Sequence, residues 1–341
     1  MSNNCTVKTI TQATLFNYQL PFKKTMQFKQ YQLNMRAGLI LQVTDNLGIR
    51  HFTEIAPLPG FSHETLATAT KQIITILSSS LAHIFKHNPS AHSVQFALDA
   101  LFCRLANNST KQDVAIDNIP LLQGDNEQVI KQYRTLNQPN RIKLKVARET
   151  LLADINTFQS LCQLNPHLKI RCDANQAWKK HQAAQFFSEI NVQQLDYIEE
   201  PCGDHNTNLQ LAEKYQIAIA LDETLQAHDF NYQHHPSISA FIIKPTLIGS
   251  KKKIDHLVSI ATQQGIEVNF SSSFESAIGL QQLKNLASDY LQKNISARQE
   301  GQKLVLSLGI DTLKYFDSAL LMEEAKIVQD SQHLNILWTS H

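Results

Sequence analysis

Ile142-Lys-Leu-Lys-Val146, Leu168-Lys-Ile-Arg-Cys-Asp173 and Leu195-Asp-Tyr-Ile-Glu199 open a series of short β-rich runs that continues through Ile217-Ala-Ile-Ala-Leu-Asp222, Ala240-Phe-Ile-Ile-Lys244 and Glu267-Val-Asn-Phe270. Helical stretches separate them. Successive starts lie about 22 to 27 residues apart, the length that a strand, a helix and their loops require. Six such units in a row predict a parallel α/β barrel. An open doubly wound sheet is the competitor, but no G-x-G-x-x-G turn follows the first strand.

Nearly every run ends in an ionisable residue: Lys145, Asp173, Glu199, Asp222 and Lys244. In a parallel barrel those ends share one mouth. Strand side chains alternate between faces, so Lys143 and Lys145 point one way while Ile142, Leu144 and Val146 point toward the surrounding helices. The same parity sends Ile170 and Cys172 outward and Asp173 inward. It opposes Ile198 to Glu199 and lays Ala218 and Ala220 as a floor beneath Asp222.

Taken singly, each carboxylate reads as a charge on a loop. Taken together, three carboxylates on three consecutive strands, flanked on each side by a strand ending in lysine, would crowd like charges into a low-dielectric mouth unless a cation neutralised them. A bound divalent metal is therefore expected. The donors are hard oxygens with no histidine or cysteine at an equivalent position, which favours Mg2+, or Mn2+ in its place, over zinc. Lysines on either side of such a metal would form carbon-acid machinery: one removes a proton next to a carboxylate, the metal takes the charge on the resulting enediolate, and the other lysine supports the second step. Free lysine, with a pKa of about 10.4, is protonated at neutral pH. A neighbouring Lys143 and the cation would favour the neutral base.

Upstream, Ala37-Gly-Leu-Ile-Leu-Gln-Val43 and Arg50-His-Phe-Thr-Glu-Ile55 flank Asp45-Asn-Leu-Gly48 and predict a hairpin. Ser62, Glu64 and Thr65 announce a helix over Leu66 to Leu81, and a second helix is expected over Ser93 to Leu105. Residues 1–120 thus read as an α+β unit preceding the barrel.

The 341 residues are 43% hydrophobic and 18% charged, with a formal net charge of +1. That composition predicts a globular protein without the basic footprint of a nucleic-acid binder. Lys251 to Lys253 read as a solvated helix face. No apolar run approaches a membrane span and the start has no signal-peptide pattern, so neither a membrane nor a secreted setting is expected and the cytoplasm is. Five scattered cysteines fit reduced thiols. The oligomeric state stays open, with a monomer as the default.

One set of motifs is similar to a known family: Lys143-Leu-Lys145, Asp173-Ala-Asn-Gln-Ala-Trp178, Ile198-Glu-Glu-Pro201, Leu221-Asp-Glu-Thr224, Ile243-Lys-Pro-Thr-Leu-Ile-Gly-Ser250, Ser271-Ser-Ser-Phe-Glu-Ser276 and Gly309-Ile-Asp-Thr312, with Glu54-Ile-Ala-Pro-Leu-Pro-Gly-Phe-Ser62 in front. From about residue 15 to about residue 315 the chain resembles the o-succinylbenzoate synthases of the enolase superfamily, in the muconate-lactonizing-enzyme-like subgroup. The resemblance implies a (β/α)7β TIM-type barrel over residues 121–315 under an N-terminal α+β capping domain, with residues 316–341 returning to the cap. It also implies magnesium-dependent dehydration of a succinyl-hydroxycyclohexadiene carboxylate, a small-molecule substrate, in menaquinone biosynthesis. Carried over residue by residue, Asp173, Glu199 and Asp222 would hold magnesium, supported by Lys143, Asn175 and Glu223. Lys145 would be the acid/base and Lys244 the opposing cation. Ser271, Ser273 and Gly309 would hold the succinyl end, and the Pro57 to Phe61 loop, through Pro59 and Phe61, would help close the pocket.

Two departures stand out. The segment between Gly279 and Gly309 is longer than the family pattern around Ser296 to Val305, which leaves the last strand's register open, and Gln176 replaces a more usual arginine. Trp178 reads as packing, Cys172 and Cys202 as small buried filler, and the histidines as surface or core residues. Glu275 reads equally as a helix cap or as an orienter of the serine loop. A racemase, dipeptide epimerase or cycloisomerase of the same superfamily, and a barrel that only binds a ligand, remain as alternatives to the dehydratase.

Overall fold

A computed structural model describes residues 8–106, 116–227, 230–296, 303–317 and 334–340. Cys5, residues 297–302 of the long segment and residues 318–333 and 341 of the C-terminal stretch lie outside the described residues.

The front unit pairs three antiparallel strands, β1 (Ile10–Phe28), β2 (Tyr31–Asp45) and β3 (Arg50–Ile55), with helices α1 (Leu66–Ser79) and α2 (His92–Ala106). The expected hairpin is β2 and β3, and Asp45 shapes its turn by accepting hydrogen bonds from the backbone N–H groups of Leu47 and Ile49, both at 2.9 Å. Thr65 caps α1 by accepting from Thr68 N–H.

The barrel then follows: β4 (Leu121–Leu122), α3 (Asn126–Thr135), β5 (Arg141–Lys145), α4 (Leu151–Leu164), β6 (Lys169–Asp173), α5 (Lys180–Glu189), β7 (Leu195–Glu199), α6 (His205–Tyr215), β8 (Ile219–Leu221), α7 (Glu223–Gln226), β9 (Ile238–Ile243), α8 (Pro245–Ile248), α9 (Lys251–Gln264), β10 (Glu267–Ser271), α10 (Ala277–Ser296) and β11 (Leu306–Gly309). All eight strands from β4 to β11 are parallel and in sequence order. Hydrogen bonds from Ile119 N–H to Leu308 O (2.9 Å) and from Leu308 N–H to Asp117 O (2.8 Å) bring the last strand back against the segment before β4. The result is an α/β, (β/α)7β barrel. A final strand, β12 (Leu334–Thr339), pairs antiparallel with β1, so the end of the described chain lies on the front sheet.

The six predicted barrel strands are present with small shifts at their ends. β8 starts at Ile219 rather than Ile217, because Gln216 takes a left-handed conformation (φ 52°) and Ile217 N–H still bonds back to Ala212 O at 3.1 Å as the helix cap. Asp222 therefore sits just past its strand. The register of the last strand is resolved by pairing, Ser271 opposite Gly309.

Parity holds round the barrel. Ile142, Leu144, Ile170, Cys172, Ile198, Phe241 and Phe270 join the core beneath the helices, while Tyr197, Ala220, Ala240 and Ile242 form a separate small cluster inside. Arg171 also points inward, only 1% exposed, with its guanidinium paired to Asp196 (2.8 Å) and Glu267 (2.8 Å), donating to Ser307 Oγ (3.0 Å) and lying over the Tyr197 ring. This ion pair plugs the barrel below the mouth. Arg171→Met is expected to leave Glu267 without its cation, while Asp196 keeps Arg141 at 3.2 Å, and to cost about 3 to 5 kcal/mol, measured by urea unfolding. A wild-type midpoint would remove the plug from the stability of the barrel.

Candidate active site

At the mouth, Lys143 Nζ bridges Asp173 Oδ2 (2.7 Å) and Glu199 Oε2 (2.6 Å), and Lys145 Nζ meets Asp173 Oδ2 (2.6 Å) and Asn175 Oδ1 (2.8 Å). Lys244 is ion-paired with Asp222. Neighbouring parallel strands in register place Lys145 beside Asp173 and Asp173 beside Glu199. The five strand-end charges singled out in the sequence thus share one end of the barrel. Asp173, Glu199 and Asp222 are buried. Among the described residues no group of three acidic, histidine or cysteine side chains is drawn together as a cation site; ammonium groups take up the carboxylate oxygens instead.

The local electrostatics follow from burial and charge count. Burial, the Asp173 charge and the Asp222 charge push the Glu199 carboxyl up to about 8, though Lys143 opposes them. Glu223, at the start of α7, is raised to about 7 by burial and by Asp222, with Lys244 opposing. Burial works against the charge on each lysine. For Lys143 the Asp173 and Glu199 carboxylates outweigh it and raise the pKa. Lys145 is lowered, by burial and by the neighbouring Lys143 against the pull of Asp173. Lys145 is thus the ammonium at this mouth that most readily gives up its proton.

Glu200 completes the acidic shell and was not singled out by the sequence reading. It is buried, accepts from the N–H groups of Asp222 (2.9 Å) and Thr224 (3.0 Å), and takes a hydrogen bond from Gln176 Nε2. Gln176 therefore ties the Asp-Ala-Asn turn to the next strand. The signal for Glu200 was the second acid of Ile198-Glu-Glu-Pro201, which strand alternation alone sends away from the barrel interior.

An open cavity lies above these groups, lined by Lys143, Lys145, Asp173, Asn175, Lys244, Ser271, Ser273 and Gly309. Ser273 Oγ is buried without a hydrogen-bond partner, a polar atom ready for a ligand. A Cβ on Gly309 would lie 3.0 Å from Asn269 Oδ1 and 3.1 Å from Ser271 Oγ, so glycine keeps this wall open. Glu275 orients the serine loop: it accepts from Ser272 Oγ (2.7 Å), Ser273 N–H (2.6 Å) and Thr246 Oγ1 (2.7 Å). Trp178 lies at 4.7 Å from Phe186 in the core, as packing.

The front unit closes the cavity. Phe61 lines it as expected, but its neighbour on the wall is Leu58 and not Pro59, because the turn at Gly60 (φ +85°) seats the loop against the arm at Phe28. Met26, Gln27 and Phe28, at the end of β1, also line the cavity. The sequence reading missed them because their polarity pattern carries no chemical signature. Arg36 was missed too. It is 1% exposed and spends every guanidinium nitrogen on backbone carbonyls: Phe274 (3.1 Å), Ala37 (2.9 Å), Pro57 (2.8 Å), Ala56 and Ser273 (3.5 Å). It thereby staples the closing loop to the serine loop. Arg36→Met should leave those carbonyls unpaired and lower stability by about 2 to 4 kcal/mol in urea unfolding, with faster protease cutting near Phe61. Unchanged unfolding and cutting would show that the loops do not rely on it.

Comparison with known proteins fits this geometry. Residues 10–105 match the family described as MenC, N-terminal domain, and residues 127–303 match the enolase C-terminal domain-like family. The o-succinylbenzoate synthase of Pectobacterium atrosepticum is 30% identical over 338 residues, which cover 96% of this chain and 99% of the relative. The chain belongs to the o-succinylbenzoate synthase family. The family's protein from Yersinia enterocolitica is 33% identical over 81% of this chain and 85% of its own length. Among solved structures, o-succinylbenzoate synthase from Thermosynechococcus elongatus BP-1, complexed with magnesium in its active site, superposes with a TM-score of 0.71 at 22% identity, covering 91% of this chain and 95% of that one. A dipeptide epimerase from Enterococcus faecalis complexed with magnesium and a dipeptide reaches 0.72 at 18% identity, covering 91% and 92%. At such identities these structures share the fold.

Proposed function

We propose that the chain dehydrates 2-succinyl-6-hydroxy-2,4-cyclohexadiene-1-carboxylate to 2-succinylbenzoate in menaquinone biosynthesis, with Lys145 as acid/base and Lys244 as the opposing cation. The observation that carries the reading is the pair of lysines, half-buried Lys145 on β5 and buried Lys244 just past β9, four strands apart round an eight-stranded barrel, with the acidic shell between them. Lys145, the more easily deprotonated of the two, takes the proton from the carbon bearing the ring carboxylate. The electron pair left behind closes the aromatic ring as the carbon–oxygen bond breaks, and the Lys145 ammonium returns the proton to the departing hydroxide as water. Lys244, held by Asp222, stays charged and faces the negative charge that builds on the substrate carboxylate.

The donor set fits a hard divalent cation. Asp173, Glu199, Asp222, Glu200 and Glu223 bring five carboxylates to a mouth with three lysines and Arg148, an excess of acid that a bound cation would offset. Asp173, Glu199 and Asp222 would hold magnesium, or manganese, with Lys143 fixing the first two and Asn175 and Glu223 beside them. When bound, the ion supplies fixed positive charge against the substrate carboxylate. Ser271, Ser273 and Gly309 would take the succinyl end, a role that the unpartnered Ser273 hydroxyl supports. The free thiols of Cys103, Cys162, Cys172 and Cys202 suit a cytoplasmic setting, and among the described residues no helix is long and apolar enough to cross a membrane.

Purified protein with magnesium should convert the cyclohexadiene to 2-succinylbenzoate, followed by the rise of aromatic absorbance; an intact substrate would defeat the reading. Lys145→Ala should lower kcat by about 10³-fold with unchanged unfolding, and a variant keeping most turnover would take Lys145 out of its role. Exhaustive chelation should abolish activity and added magnesium restore it, whereas full turnover of metal-stripped protein would remove the cation from the reaction. Lysines on both sides of the substrate also suit two-sided proton transfer, so an N-acylamino acid, dipeptide and cyclohexadiene panel should rank the cyclohexadiene first.

A further inference from the structure

Two residues past Lys145, the chain turns sharply. Ala147 takes a left-handed conformation (φ 59°) that a β-carbon disfavours, and its N–H is held by Asp154 Oδ2 at 2.8 Å from the first turn of α4. The turn brings Arg148 back over the mouth, where it lines the cavity and donates from a terminal nitrogen to Asn175 Oδ1 at 3.3 Å. That same oxygen accepts from Lys145 Nζ at 2.8 Å. Two cations thus converge on one neutral acceptor. Among the described residues Arg148 has no carboxylate partner, while the other cations lining the cavity, Lys143, Lys145 and Lys244, each have one. A guanidinium has five N–H donors, and the long contact to Asn175 engages only one nitrogen.

The substrate proposed above is a dianion. Its ring carboxylate belongs among the buried charges, and the serine loop with Gly309 offers its succinyl end only neutral donors. A carboxylate taken out of water needs a cation or full hydrogen bonding. We infer that Arg148 is a specificity-determining residue: its guanidinium, held at the mouth by Asn175 and the Ala147 turn, receives the second carboxylate of the dicarboxylate substrate. The inference rests on the dehydratase reading and adds a residue to it.

The test uses the full chain with magnesium and two probes, the product 2-succinylbenzoate and 2-butanoylbenzoate, which keeps the four-carbon arm but ends in a methyl group. In Arg148→Met, the KM for the cyclohexadiene and the inhibition constant of 2-succinylbenzoate should each rise about 10- to 100-fold, the size of a lost charge-assisted hydrogen bond. kcat should stay within about threefold and 2-butanoylbenzoate should bind as it does to the parent protein. Arg148→Lys should fall between the two. Added salt should raise the KM of the parent more steeply than that of Arg148→Met. Unchanged KM and product binding in Arg148→Met would overturn the inference, as would equal weakening of both probes, which would mark Arg148 as a prop for Asn175. A parent protein that leaves the cyclohexadiene intact would defeat the reaction itself; turnover with an indifferent Arg148→Met would defeat only this assignment.

Discussion

Lys143 stands between Asp173 and Glu199, at 2.7 and 2.6 Å, and much of the molecule is arranged around the charge it helps to hold. Carboxylates buried on adjacent strands repel one another, and the low dielectric that magnifies the repulsion also magnifies attraction to any cation brought in among them. Glu199, pushed up to about 8, and Glu223, to about 7, register the strain of an acidic shell that outnumbers its lysines. A neutral barrel mouth would need none of this, and an apolar filling of the same volume would be more stable. The charges are instead held in place by the scaffold: the strand register sets their spacing, and the Arg171 plug fills the floor below them.

The front sheet does the complementary work of confining the site. Glu54, buried on β3, accepts from the N–H groups of Ser276 (3.0 Å) and Gly279 (2.7 Å) at the start of α10, from Ser276 Oγ (2.5 Å) and from the Tyr18 hydroxyl. Arg36, from β2, clasps the carbonyls on either side of the same junction. One carboxylate and one guanidinium thereby tie the front unit to the serine loop through main-chain groups, contacts that do not depend on which side chains line the cavity. Such an arrangement lets the cavity wall vary while its closure is kept, which suits a fold shared by synthases and epimerases.

How much of this was legible in the chain depended on whether the signal was local. Lys145, Asp173, Glu199, Asp222 and Lys244 could be read because each falls near the end of a run whose alternation fixes the side it faces, and Lys143 because it shares the parity of Lys145. Leu121–Leu122 was not predicted as a strand, since two residues after a proline carry no periodicity and become a strand only by pairing with β5. Within the Pro57 to Phe61 loop expected to help close the pocket, which residues line the cavity, Leu58 and Phe61, is a matter of how one turn packs against the end of β1. Arg36, Arg148 and Arg171 look alike in sequence, yet one staples loops, one lies over the mouth and one plugs the floor.

The sequence by itself determined six consecutive strands of the barrel, their order and most of the charged groups at its mouth, because hydrophobic period and strand-end position are properties of neighbouring residues. The tertiary structure alone decided which charges pair, how the front unit seals the cavity and which arginine faces it. Those outcomes join residues as distant as Arg36 and Phe274 or Glu54 and Gly279, whose meeting is fixed only when the two units pack and every buried donor must find an acceptor.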